Sequence, residues 1–168
     1  MSKKWVFLLT VGLICELGIS QSLFNDFEFQ MPIETAREIL KSQSKKYKSL
    51  SFGKGTAYAF RKKSLVDRNA QLISITIGSK KNLSLNEAEN YLKKSRTHFE
   101  SMGYATVYAQ ENWSKPLLIK KNLPCIRFVD PEKTVVVDIE PRGQGTIYNV
   151  FVNYYNYNWF LRKARGLE

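Results

Sequence analysis

The segment Asn82–Gly103 constrains the fold more than any other part of the sequence, because both of its ends carry helix signals. Ser84 and Glu87 have the spacing of a capping box, in which each side chain bonds the backbone amide of the other residue. Gly103 suits the left-handed conformation that ends many helices. Apolar or small residues recur between these ends at three- and four-residue spacing: Leu85, Ala88, Tyr91, Leu92, Ser95, Phe99 and Met102. The pattern predicts a helix over 84–102 that lies on an apolar surface.

Alternating apolar and polar residues predict strands on both sides of this helix. The predicted strands are Thr56–Lys62, Leu72–Gly78, Tyr104–Gln110, Ile126–Val129, Thr134–Ile139 and Thr146–Phe160. We expect a loop at Val66–Gln71, a type I turn at Asp130-Pro131, and a further turn at Pro141–Gly145. A β-bulge near Tyr154–Tyr155 would keep the asparagines of the last strand on the solvent face.

The residues before these strands predict an arm and a short helix. Leu23–Met31 alternates as a short strand or arm, and Pro32 opens a helix over Ile33–Lys46. Ser42–Lys54 is expected to be the loosest part of the mature chain. The sequence therefore predicts an α+β fold: an antiparallel or mixed sheet of about five to six strands, with the helix 84–102 on one face and a short N-terminal helix. We divide the mature chain into an arm and helix at 21–54 and an α+β domain at 55–168.

The first twenty residues resemble a targeting segment. Lys3 and Lys4 precede an apolar run, Trp5–Cys15, that is too short to span a bilayer. Small residues at Gly18 and Ser20 are typical of a signal peptide at 1–20 that is cleaved near Ser20. We therefore expect an exported protein, periplasmic or secreted, without a transmembrane span in the mature chain. An uncleaved anchor and glycosylation of the sequons at Asn82 and Asn112 remain alternatives that the sequence leaves open.

The charge balance favours an anionic partner. The chain has 26 Lys+Arg against 15 Asp+Glu, a net charge of +11. This favours acidic envelope polymers, a membrane surface or an acidic protein, whereas nucleic acid is a poor candidate for an exported chain. The basic residues are scattered in short groups, which is also typical of a solvated surface.

Residues that could carry catalysis are few. Cys125 and His98 could form a thiol dyad, but no local motif supports one, and a cysteine in this position is more often a small buried residue. Asp138 and Glu140 lie two apart on one face, at the end of a predicted strand, and we expect that face to be solvated. No group of residues has metal-ligand spacing, and no cofactor is predicted.

The C-terminal stretch has the most unusual composition, with aromatic side chains among asparagines and basic residues. Either the strand is buried on both faces, or some rings are exposed to a partner. We take as candidate binding residues Tyr155, Tyr157, Trp159, Arg162, Lys163 and Arg165. The leading hypothesis is an exported, non-catalytic binding domain for an anionic envelope component or a protein partner. The alternatives are a structural subunit of an envelope complex, and a small thiol enzyme that uses Cys125 and His98.

Overall fold

A seven-stranded antiparallel sheet forms the centre of the fold in the computed structural model, which describes residues 21–110 and 125–168. A two-stranded hairpin and two helices come first: β1 (Ser22–Phe24), β2 (Phe27–Glu28), α1 (Ile33–Ser42) and α2 (Ser44–Tyr47). The elements that follow are β3 (Tyr58–Ala59), a 3₁₀ turn (Lys62–Ser64), β4 (Leu65–Arg68), β5 (Gln71–Ser79) and α3 (Leu85–Ser101). The chain then forms β6 (Ala105–Ala109), β7 (Ile126–Val129), β8 (Val135–Gln144), β9 (Ile147–Asn156) and α4 (Tyr157–Ala164). The predicted α+β class, with one long helix on an antiparallel sheet, is confirmed.

The strands are ordered β3-β5-β9-β8-β7-β6, and β4 also pairs with β5. Every neighbouring pair is antiparallel. It follows that β5 and β6, the strands on either side of α3 in the sequence, run in the same direction but are separated by three other strands. The sheet is thus antiparallel throughout rather than mixed.

Helix α3 begins and ends as its sequence signals predict. The Ser84 side chain accepts a hydrogen bond from the Glu87 amide, and the Ser84 amide donates to the Glu87 carboxylate at 2.8 Å. Gly103 has a φ of +84°, the left-handed region in which glycine has no steric cost. The buried face of the helix consists of Ala88, Tyr91, Leu92, Ser95 and Phe99. Met102, which the helical spacing assigns to that face, is instead 54% exposed at the C-cap.

The inner face of the sheet and the N-terminal segment share one hydrophobic core. Val137, Ile139 and Val152 from the central strands are fully buried in it. Phe27 of β2 and Tyr47 of α2 are also 0% exposed and belong to the same cluster. The prediction that Ser42–Lys54 is the loosest part of the mature chain is therefore wrong, because this segment supplies aromatic rings to the core.

The predicted helix and loops near the N-terminus differ in detail. The helical stretch is divided into α1 and α2 at Gln43. The predicted loop at Val66–Gln71 is a tight hairpin, in which Asn69 and Ala70 take left-handed conformations between β4 and β5. Of the predicted strand Thr56–Lys62, only Tyr58 and Ala59 pair with β5.

The C-terminal part of the chain departs most from the sequence prediction. The β8 strand continues through the predicted turn at Pro141–Gly145 as far as Gln144, and it pairs with β9 in unbroken register. There is consequently no bulge at Tyr154–Tyr155. The asparagine spacing changes because the strand ends at Asn156 and a helix follows. The Asn156 side chain accepts a hydrogen bond from the Trp159 amide at 2.9 Å, which caps α4.

Candidate functional site

The outer face of β8 is buried, not solvated. Asp138 and Glu140 are each 6% exposed, so the expectation of a wet outer face is wrong. The guanidinium of Arg127 donates two hydrogen bonds to Asp138, at 2.7 and 3.0 Å. Arg142 donates two to Glu140, at 3.1 and 3.0 Å, and the Asn153 amide donates a third at 3.2 Å. Both carboxylates are thus held by partners in the sheet, which is the arrangement of a structural polar network.

Helix α4 covers part of this network. The Phe160 ring lies under the Arg127 guanidinium at 4.5 Å, and Tyr155 contacts the rings of Trp159 and Phe160. Burial raises the pKa of Asp138, and the Arg127 hydrogen bonds and charge oppose that rise. This carboxylate pair is therefore committed to holding the outer face together, and it is not placed as a catalytic acid and base.

The candidate binding residues at the C-terminus are mostly engaged within the protein. Trp159 is 8% exposed and lies under the Lys163 ammonium at 4.8 Å, while Tyr155 is half-buried. The Arg162 guanidinium donates to the Glu168 carboxylate at 2.8 Å. Tyr157 is half-buried and Arg165 is exposed. Tyr157, Trp159, Arg162 and Lys163 lie in α4, whereas Tyr155 belongs to β9 and Arg165 is the C-cap of α4. Mainly Lys163 and Arg165 remain available, and their role in binding stays a prediction.

The candidate thiol dyad lacks the geometry of a nucleophile and its base. Cys125 is 1% exposed, as expected for a small buried residue, and burial raises the pKa of its thiol to about 12. A reactive cysteine needs the opposite shift. The His98 ring contacts Phe52 and Phe99, and burial lowers its pKa. Within the described part of the chain, no hydrogen bond joins the two side chains.

A basic surface lies elsewhere, at the end of the sheet where α1, β3 and β5 meet. One groove there has a volume of about 570 Å³, and its floor is formed by Leu40, Ala59 and Phe60. Its rim carries six cationic side chains: Arg37, Lys41, Lys48, Arg61, Lys62 and Lys80. We call it the apolar-floored groove. Among the residues that line it there is no aspartate or glutamate.

A second groove of about 520 Å³ adjoins the first and shares Ala59, Arg61 and Lys80 with it. Its lining is more polar and includes Lys63, Lys81, Asn82 and Asn149. We call it the polar groove, and the two grooves together are the basic face. Lys81 pairs with Glu87 at 2.7 Å and Arg142 with Glu140, so these two cations are partly neutralised.

Six cations of the basic face form no ion pair with the described carboxylates: Lys41, Lys48, Arg61, Lys62, Lys63 and Lys80. All six are exposed. Clustered like charges repel one another and raise the local positive potential, which a bound anion would lower. The basic face is therefore suited to bind an anion.

Sequence reasoning missed this surface, although one signal was available. The stretch Ile39–Val66 contains eight Lys or Arg residues and no Asp or Glu. Five of the six unpaired cations come from it, and Lys80 joins them because β5 pairs with β3 through Ser79 and Tyr58. A local excess of one charge sign, rather than a short motif, was thus the useful indicator.

Comparisons with protein-family models, curated proteins and solved structures found no match for this chain. Among residues 21–110 and 125–168, no group of three or more His, Cys, Asp or Glu side chains is placed to hold a metal ion. Within the same ranges, no helix combines the length and the apolar composition needed to cross a membrane. The predicted signal peptide and the sequon at Asn112 lie outside the described residues.

Proposed function

We propose that this protein is a non-catalytic binding domain that holds an anionic partner against its basic face. The observation that carries the proposal is the group of six exposed cations, none paired with a carboxylate of the described residues, around two adjoining grooves whose described lining contains no carboxylate. The net charge of +11 supports the same partner chemistry. Given the targeting pattern at 1–20, we propose an acidic polymer of the cell envelope as the partner.

The arrangement favours binding over catalysis. A general acid or base needs a titratable group with a shifted pKa at an accessible site. Asp138 and Cys125, whose pKa values are raised, do not line either groove. The described residues that do line the grooves include exposed lysines and arginines but no carboxylate, histidine or cysteine. Such cations attract and position an anion without transferring a proton.

The test compares two charge reversals of equal size. Lys62→Glu/Lys80→Glu alters the basic face, and Lys163→Glu/Arg165→Glu alters two of the C-terminal binding residues predicted from the sequence. Binding of fluorescent dextran sulfate is titrated at several salt concentrations, with neutral dextran as the comparison polymer. We expect the basic-face variant to bind at least about tenfold more weakly, since each exposed charge contact contributes about 1 kcal/mol.

The outcomes separate three explanations. The proposal is supported if the basic-face variant loses dextran sulfate binding while the C-terminal variant binds almost normally. Loss confined to the C-terminal variant would overturn it in favour of the residues Trp159, Arg162, Lys163 and Arg165. Equal weakening of both variants would mean that only net charge matters, which also overturns a defined site.

A further inference from the structure

The apolar-floored groove differs from the rest of the basic face in the chemistry of its surface. Leu40, Ala59 and Phe60 form its floor, and they belong to the edge of the hydrophobic core. The aliphatic parts of the rim lysines and arginines extend the apolar surface up the walls, while their charged ends reach solvent. The surface that faces the groove is consequently mostly apolar, although six cations surround it.

A purely hydrophilic anion would leave this floor unused. The polar groove next to it, with its asparagine and serine side chains, already offers hydrogen bonds to sulfate, carboxylate or sugar groups. A ligand that fills the apolar-floored groove must instead combine an apolar body with a negative end. The volume of about 570 Å³ is in the ordinary range for small-molecule sites.

We infer that the apolar-floored groove binds a single-chain anionic lipid, with the hydrocarbon chain on the floor and the charged head among the rim cations. The inference rests on the proposed function, because it assigns a ligand class to one part of the basic face. Charge complementarity selects the head group: Lys41, Lys48, Lys62 and Lys80 are exposed and without a carboxylate partner among the described residues. The apolar floor favours a ligand that carries a hydrocarbon chain.

Three soluble probes distinguish the contributions of head and chain. Laurate carries both, acetate carries only the head, and lauroyl glycerol carries the same chain with an uncharged head. Titration of the full chain by calorimetry should give a dissociation constant for laurate at least about tenfold below that of either comparison probe. Against acetate, burial of only two methylene groups already changes an equilibrium constant by about that factor. Against lauroyl glycerol, the loss of two charge contacts of about 1 kcal/mol each has an effect of that size.

A variant that fills the groove locates the site. Ser44 lines the groove, and its hydroxyl makes no hydrogen bond with another described residue. Ser44→Trp should weaken laurate binding at least about tenfold, because the indole ring would occupy the space that the hydrocarbon chain of laurate needs. Ser44→Leu provides a smaller filling if the tryptophan variant does not fold. Ser42→Trp is the matched control, since Ser42 is exposed at the end of α1 and does not line the groove.

Dextran sulfate titrations of the same variants separate this inference from the proposed function. Lost laurate binding with retained dextran sulfate binding in Ser44→Trp supports the lipid site. If the unmodified protein binds dextran sulfate but not laurate, or if Ser44→Trp and Ser44→Leu bind laurate normally, the inference is overturned and the proposed function stands. Laurate binding without any dextran sulfate binding would instead overturn the polymer partner. Binding only to anionic vesicles, and not to monomeric laurate, would replace the groove with a membrane surface contact.

Discussion

Replacing Arg127 by methionine tests whether the buried ion pair on the outer face of the sheet stabilises the fold. The substitution keeps the aliphatic volume but removes two hydrogen bonds to Asp138, whose side chain is only 8% exposed. Breaking a buried pair in this way typically costs about 3–5 kcal/mol, because a charge is left without compensation. Because the Arg127 side chain is 29% exposed, we expect a loss of unfolding free energy at the lower end of this range, about 3 kcal/mol at pH 7. Loss of the contact with the Phe160 ring adds about 0.5–1 kcal/mol.

The loss of stability should depend on pH. Burial raises the pKa of Asp138 above its ordinary value of 3.8, and Arg127 opposes that rise. Without Arg127 the pKa rises further, and the carboxyl can take up a proton instead of remaining as a buried anion. A carboxyl whose pKa is raised by folding favours the folded state most below the unfolded pKa, and this stability is lost as the pH rises through the folded pKa. Arg127→Met should therefore be less destabilising at pH 4 than at pH 7, by about 1 kcal/mol or more.

Urea unfolding followed by circular dichroism at both pH values measures these differences. Arg127→Met/Asp138→Leu should recover to within about 1 kcal/mol of the unmodified protein, since it removes both charges. Arg165→Met is the control, because Arg165 is exposed and forms no ion pair with described residues; it should change stability by less than about 0.5 kcal/mol. A loss below about 1 kcal/mol for Arg127→Met at pH 7, or an equal loss at both pH values, would refute the reasoning.

Three further predictions concern single positions. Asn156→Ala should cost about 1 kcal/mol of unfolding free energy, because it removes the cap of α4, and urea titration measures the change. Gly53→Ala should lower the unfolding free energy by more than about 2 kcal/mol. A Cβ at this position would lie 2.6 Å from a backbone oxygen of α3, and a φ of +106° is strained for alanine. Gly145→Ala, with a φ of +65° and open space around it, is the matched comparison and should cost only about 1 kcal/mol. A thiol reagent at pH 8 should leave Cys125 unmodified in the folded protein and label it in urea, as peptide mass spectrometry would show. Labelling of the folded chain at the rate seen in urea would contradict the burial argument.

The parts of the fold that the sequence predicts correctly are those with local causes. The capping box at Ser84 and Glu87 and the glycine at 103 fix the ends of α3 through contacts within a few residues. The alternation in β5 and β8 reflects an apolar inner face that any sheet of this kind must bury. These signals do not depend on knowing which strands are neighbours.

The burial of the outer face could not be predicted in the same way, because it depends on the neighbouring strand β7 and on α4, which follows β9. The alternating sequence pattern indicates that Asp138 and Glu140 are solvated. In the structure, the arginines of β7 and β8 bond these carboxylates, and Phe160 of α4 packs on Arg127. The end of β9 was also misassigned, because its aromatic and asparagine residues continue to alternate into α4. The cap at Asn156 was the local signal that would have separated strand from helix.

The basic face was missed for the same reason, since residues that are separated in the sequence come together only in the folded structure. Its unpaired cations come from α1, from the residue after α2, from the 3₁₀ turn and the residue before it, and from the residue after β5. In the sequence they are short, separated groups, which is why a solvated surface was the natural interpretation. Only the pairing of β3 with β5 brings Lys80 beside Arg61 and Lys62.

The position of β9 in the sheet has a consequence for how the chain is synthesised. This strand comes last among the described strands, and within residues 21–110 and 125–168 it alone joins β5, β4 and β3 to β8, β7 and β6. Until it has left the ribosome, the sheet consists of two separate halves, each with an unpaired edge at its future centre. Nascent or truncated chains that stop before Ile147 should therefore be prone to proteolysis and to edge-to-edge aggregation. The two halves of the sheet can therefore join only after β9 has been synthesised.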